Sequence, residues 1–178
     1  MKVNMISYAA MFTTLLVCSM SINAKPIAAD FQSCDIDAYF IDSDKHSSNI
    51  RSAPSSQSRV IKQVDNMTTV LHITGVKDGW FQVDRVYDAG DGNDTVLFKG
   101  LGWIHHSIVG GDGTGSHGTK LFKAPTKTSK ILAAVGVDDG IGFLSCKGKW
   151  AYVIAGNRDT KGWAAPKTIC SNSLTNCS

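Results

Sequence analysis

The stretch "NIRSAPSSQSRVIKQV" (residues 49–64) returns 71 residues later as "KLFKAPTKTSKILAAV" (residues 120–135). With Pro54 over Pro125 the two align without a gap. Ile50 meets Leu121, Ala53 meets Ala124, Ser58 meets Ser129, Arg59 meets Lys130, and Val64 meets Val135. Two further landmarks follow in the same order. "GWFQV" (79–83) answers "KWAYV" (149–153), and "GLGWI" (100–104) answers "TKGWA" (160–164). One unit is expected twice in the chain.

The unit reads as β-structure. "VLHI", "WFQV" and "LGWI" are short, β-branched or aromatic, and bounded by Gly, Asp and Asn. Alternation in "WFQV" and "WAYV" puts apolar side chains on one face. The Ala-Pro-Ser segment is a loop, since a residue before proline avoids the helical region. About five short strands in each unit of some 60 residues predict small barrels. "GGDGTGSHG" (110–118) has the composition of a flexible linker. The expected organisation is a first unit over 34–110, a linker over 111–118 and a second unit over 119–178.

These motifs resemble the bacterial SH3 (SH3b) family, whose pattern runs N-[VI]-R-x-x-P-S, an apolar strand, G-W-[YF]-x-V and G-W-[VI]. The first unit carries it in "NIRSAPSS", "DGWFQV" and "GLGWIHHS". The second departs, with Phe122 in place of the Arg and Lys149 in place of the Gly, but keeps Pro125, Trp150 and Gly162–Trp163. The opening "CDIDAYFIDSD" and the tail "CSNSLTNC" look like exported bacterial proteins built from two such units. The resemblance implies an all-β fold of two small SH3-like β-barrels in tandem, which bind peptide, cell-wall polymer or protein and do no chemistry. Candidate contact residues are Trp80, Phe81, Trp103, Trp150, Tyr152 and Trp163. At least half of these aromatics are expected in the core.

The residues give little support to catalysis. The chain has no glutamate, so any paired-carboxylate mechanism would rest on aspartates alone. No serine lies in a G-x-S-x-G setting. His105 and His106, adjacent on a strand, are expected to point to opposite faces and not converge on one ion. His72 and His117 have no evident partner in the sequence. Asp91, Asn93 and Asp94 in "AGDGNDTVLF", with Asp88 just before it, form a cluster that resembles a single calcium-binding repeat, yet suits a hairpin loop better. No cofactor or metal is expected.

The N-terminal residues 1–24 have the grammar of a secretory signal: Lys2, an apolar core, then small residues ending at Ala24. Its core is too short for a confident membrane span. The expected location is therefore periplasmic or extracellular, with no integral span after signal removal. Beyond the signal stand Cys34, Cys146, Cys170 and Cys177, an even number that in an exported chain means two bridges and permits three pairings. The turn-forming "SNSLTN" favours Cys170–Cys177, which leaves Cys34–Cys146 by elimination.

Charge is divided. From Cys34 to Gly110 seven Lys and Arg face ten Asp, a net of −3, and from His117 to Ser178 nine face three, a net of +6. Lys123, Lys127 and Lys130 fall in the second unit's opening loop, with Lys147 and Lys149 near its central tryptophan. That concentration suits an anionic partner at the second unit. Nucleic acid is not expected, because no basic-aromatic stacking platform is present. The expected function is recognition of cell-wall peptidoglycan or an envelope peptide or protein. The alternative is an inhibitor or immunity-type protein that blocks another protein, such as a cell-wall hydrolase.

Overall fold

The computed structural model describes residues 30–42, 47–64, 68–90, 92–115, 117–137, 139–156, 160–172 and 174. The signal-like segment, Asp91 and Cys177 lie outside them.

The described chain is all-β. Its strands are β1 (Gln32–Phe40), β2 (Ser48–Arg51), β3 (Val60–Val64), β4 (Thr69–Lys77), β5 (Trp80–Asp88), β6 (Thr95–His105), β7 (Val109–Gly113), β8 (Thr119–Phe122), β9 (Ile131–Val135), β10 (Gly140–Lys147), β11 (Trp150–Ala155), β12 (Lys161–Ala164) and β13 (Ile169–Cys170). A 3-10 turn, His106–Ile108, separates β6 from β7. Alternation decides which side of each strand is buried. In β5, Phe81, Val83 and Val86 face the core while Asp84 and Arg85 face water.

All strands join one sheet in the order β3-β2-β6-β5-β4-β1-β7-β10-β11-β12-β8-β9, with β13 added against β7. Read inward from either end, the succession is the same: the third strand of a half, its second, sixth, fifth, fourth and first. The halves meet where β1 pairs β7 antiparallel, Tyr39 opposite Gly110 and Phe40 opposite Val109. Their apolar faces merge in one core, in which Phe81 and Phe143 meet edge to face at 6.4 Å.

The glycine-rich segment is not the flexible linker that its composition suggests, at least over Gly110–Gly113. These residues form most of β7, and Gly110, Gly111 and Gly113 are buried. Glycine is needed there for close approach, not for flexibility. A Cβ on Gly110 would lie 2.2 Å from the carbonyl oxygen of Ile141, and one on Gly113 would lie 2.0 Å from that of Gly136.

Cys34 and Cys146 are disulfide-bonded, with Cα atoms 5.8 Å apart. The same contact is stitched by backbone bonds from Asp35 N–H to Gly148 O, 2.9 Å, and from Gly148 N–H to Ser33 O, 3.1 Å. Cys170 is also disulfide-bonded, but the expected Cys170–Cys177 pairing rests on a residue outside the described set.

Candidate binding groove

The two proline loops close in the same way. Ser52 N–H donates to Arg59 O and Lys123 N–H to Lys130 O, both at 2.9 Å. Ser55 N–H reaches Ala53 O as Thr126 N–H reaches Ala124 O, and Ser58 N–H reaches Ser55 O as Ser129 N–H reaches Thr126 O. With Ser58 Oγ donating to Ala53 O and Ser55 O in the first loop, and Ala124 N–H donating to Ser129 Oγ in the second, each loop is closed from within and the side chains at its tip face outward.

In the first half they line a groove of about 590 Å³, bounded by Ser48, Asn49, Arg51, Gln57, Trp80 and His105, with Asp42, Pro54 and Ile108 at its margins. That size is ordinary for a ligand site. Arg51 is fixed by its own loop, Nη1 donating to Ser58 O at 2.8 Å. The His105 ring lies 5.0 Å from Trp80 in an edge-on arrangement and accepts at Nδ1 from Ser107 N–H, 3.4 Å, beside Ser107 Oγ at 2.8 Å. Acceptance at Nδ1 leaves Nε2 to carry the proton of the neutral ring. Burial, then the neighbouring His106, push the His105 pKa below its ordinary value, so the ring is neutral at pH 7.

Ser48 contributes to the groove wall, but its side chain shares the buried face of β2 with Ile50, while Asn49 and Arg51 alternate to the other side. Its hydroxyl has no hydrogen-bond partner among the described residues, which costs about 1–3 kcal/mol.

Of the expected contact aromatics, only Trp80 lines this groove. Phe81 is fully buried and Trp103 is 7 % exposed, edge-on to Phe31 at 6.3 Å. Trp150, Tyr152 and Trp163 are half-buried in the second half, where Tyr152 and Trp163 pair across strands with rings 5.1 Å apart. Two of the six are therefore in the core, fewer than the half expected, because Trp80, Trp150, Tyr152 and Trp163 alternate onto the less buried face of their strands. Phe122 stands where the first half has Arg51. It is 7 % exposed and packs edge-on to Trp150 at 5.7 Å. The second half thus fills with its own ring the place beside its tryptophan that stays open in the first.

Lys123, Lys127 and Lys130 are exposed together on the β8–β9 hairpin, away from the groove. Lys149 instead pairs with Asp35 at 3.2 Å.

Two histidine expectations need correcting. His105 and His106 do not diverge: their rings lie 4.6 Å apart, because His105 ends β6 and His106 begins the 3-10 turn, which breaks strand alternation. His72 has two partners that sequence could not reveal, Asp84 at 2.6 Å from Nδ1 and Asp35 at 3.3 Å from Nε2. Burial lowers the His72 pKa, but the hydrogen bonds to Asp84 and Asp35 outweigh it and hold it above the ordinary value. The bonds from His72, then Lys149, hold the Asp35 carboxyl low. Among the described residues, no group of three or more His, Cys or Asp is placed to hold a metal ion. No described helix is long and apolar enough to cross a membrane.

The family model of the bacterial SH3 domain matches residues 46–109. No curated protein matches the chain. The matched segment contains β2 to β6 and most of the groove lining.

Proposed function

We propose that this chain, whose residues 46–109 match the family model of the bacterial SH3 domain, is an exported, non-catalytic binding protein that takes cell-wall polymer or an envelope peptide into the Trp80 groove. The observation that carries this reading is the open groove that sets the Trp80 ring beside the anchored Arg51 guanidinium, a place that Phe122 fills against Trp150 in the second half. An aromatic face, a fixed guanidinium and hydroxyl or amide groups suit a ligand with apolar patches and polar substituents. The second half is read as another SH3-like barrel with its groove closed by Phe122, which makes it a buttress for the first. Export rests on the signal-like residues 1–24 and the cysteine usage. Sedimentation with purified sacculi, set against capture of solubilised envelope proteins, tests the reading. Retention on sacculi that Trp80→Ala abolishes supports it. Capture of one envelope protein with no retention on sacculi would favour an inhibitor role instead.

A further inference from the structure

The two ends of the sheet differ in how their edges are protected. β3 closes one end and β9 the other, and each is paired on one side only among the described residues. An edge strand presents a row of free N–H and C=O groups, and proteins guard such rows with charges or bulky polar side chains. β3 is guarded: Lys62 and Gln63 stand in its middle, and Gln63 Nε2 donates to Asn49 Oδ1 at 3.1 Å. β9, "ILAAV", carries no charge, and Ala133 and Ala134 occupy the positions of Lys62 and Gln63. Ile131 and Leu132 are 48 % and 44 % exposed. Beside β9 runs a cleft of about 180 Å³ walled by the small side chains of Ala133, Ala134, Val135 and Ala155, and by Asp139, whose Oδ2 accepts from Gly136 N–H at 3.0 Å.

We infer that β9 is a docking edge for an extended, acidic segment of a partner protein, which adds to the sheet as a further strand. Strand addition satisfies three features together. Main-chain bonds use the free edge, the apolar side chains of the added strand cover Leu132 on one face of β9, and acidic side chains meet the exposed Lys123, Lys127 and Lys130. None of these three lysines forms an ion pair among the described residues. Charge selects the occupant. A second copy pairing β9 with β9 would bring the lysines of both together, and β3 of a second copy would bring Arg59 and Lys62. A lipid surface could attract the lysines but would leave the edge's backbone groups without partners. This site is separate from the Trp80 groove and does not depend on the reading given to it.

The test is amide NMR and hydrogen exchange on the whole exported chain, with a panel of eight-residue peptides alternating Asp or Glu with Val or Ile as probes. Matched peptides with Lys for the acids, and with a central proline, serve as controls. The expected result is saturable shifts confined to residues 131–135 and their neighbours, with slowed exchange of β9 amides, for acidic peptides only. Lys123→Ala, Lys127→Ala and Lys130→Ala combined should weaken binding roughly tenfold, more at low salt. Leu132→Lys, at an exposed position that the fold tolerates, should abolish it. Binding by no acidic peptide overturns the inference. So does equal binding of the Lys peptides, protein-concentration-dependent protection of β9 without peptide (a second copy), or β9 shifts elicited by anionic vesicles alone.

Discussion

Replacing Cys34 and Cys146 together by alanine removes the covalent tie between β1 and β10. The bridge spans a sequence separation of 112 residues, and closing a loop of that order restricts the unfolded chain by about 4.7 kcal/mol in the chain-entropy treatment. Native bridges commonly deliver less, so a loss of roughly 3–4 kcal/mol is expected. The native contact itself should persist, because the Asp35–Gly148 and Gly148–Ser33 backbone bonds and the Lys149–Asp35 pair hold the same place without the sulfurs. For a chain of this size each kcal/mol moves the melting temperature by about 2–4 °C, so a fall of roughly 10 °C follows. Urea unfolding should show the midpoint falling and the slope m rising, since the uncrosslinked chain exposes more surface when unfolded. A midpoint within about 2 °C of wild type, with m unchanged, would refute the argument that the bridge acts through the unfolded state.

Three further outcomes are expected. His72, with a pKa raised above 6.5 by Asp84 and Asp35, stabilises the fold fully below that pH, and its contribution is lost as pH rises through the raised value. The melting temperature of wild type relative to His72→Gln should therefore shrink between mildly acidic and alkaline pH, and a difference that grows with pH would contradict the pairing. Gly110→Ala should destabilise by roughly 1–3 kcal/mol in thermal unfolding, since its Cβ meets backbone; Gly140→Ala, where a Cβ meets nothing within 4 Å, is the neutral control. Millimolar calcium should move the melting temperature by less than about a degree, because Asp88 Oδ1 already accepts from Thr68 Oγ1 and Gly90 N–H; a saturable rise would reveal a site.

What sequence could and could not show divides along a physical line. The all-β character, the proline-loop motif and Cys34–Cys146 were legible because turn residues, alternation and an even cysteine number act locally or by counting. The matched bond pattern of the two loops follows from the alignment of Pro54 with Pro125. The groove was only half legible. Trp80 was a candidate, but Ser48, Asn49 and His105 are brought beside it by pairing of β5 with β6 and by the β2 loop, a non-local arrangement that no window of sequence contains. Arg51 was visible as a motif residue, and the consequence of Phe122 in its place only through the Trp150 contact. Gly110–Gly113 misled for a different reason. Glycine serves flexibility in a solvated chain and close approach in a packed one, and composition does not say which.

The central claim is that the first half's groove, and not the basic second half, holds the envelope ligand. Its most direct measurement is the affinity of wild type, Trp80→Ala, Trp150→Ala and the Lys123/Lys127/Lys130→Ala triple variant for purified sacculi in about half-molar salt, where exposed charges act over only a few ångströms. The account predicts that Trp80→Ala loses roughly tenfold to a hundredfold, the scale of an aromatic anchor, while the other two bind as wild type. Binding kept by Trp80→Ala but lost with Trp150 or with the lysines would place the ligand on the second half and contradict the account.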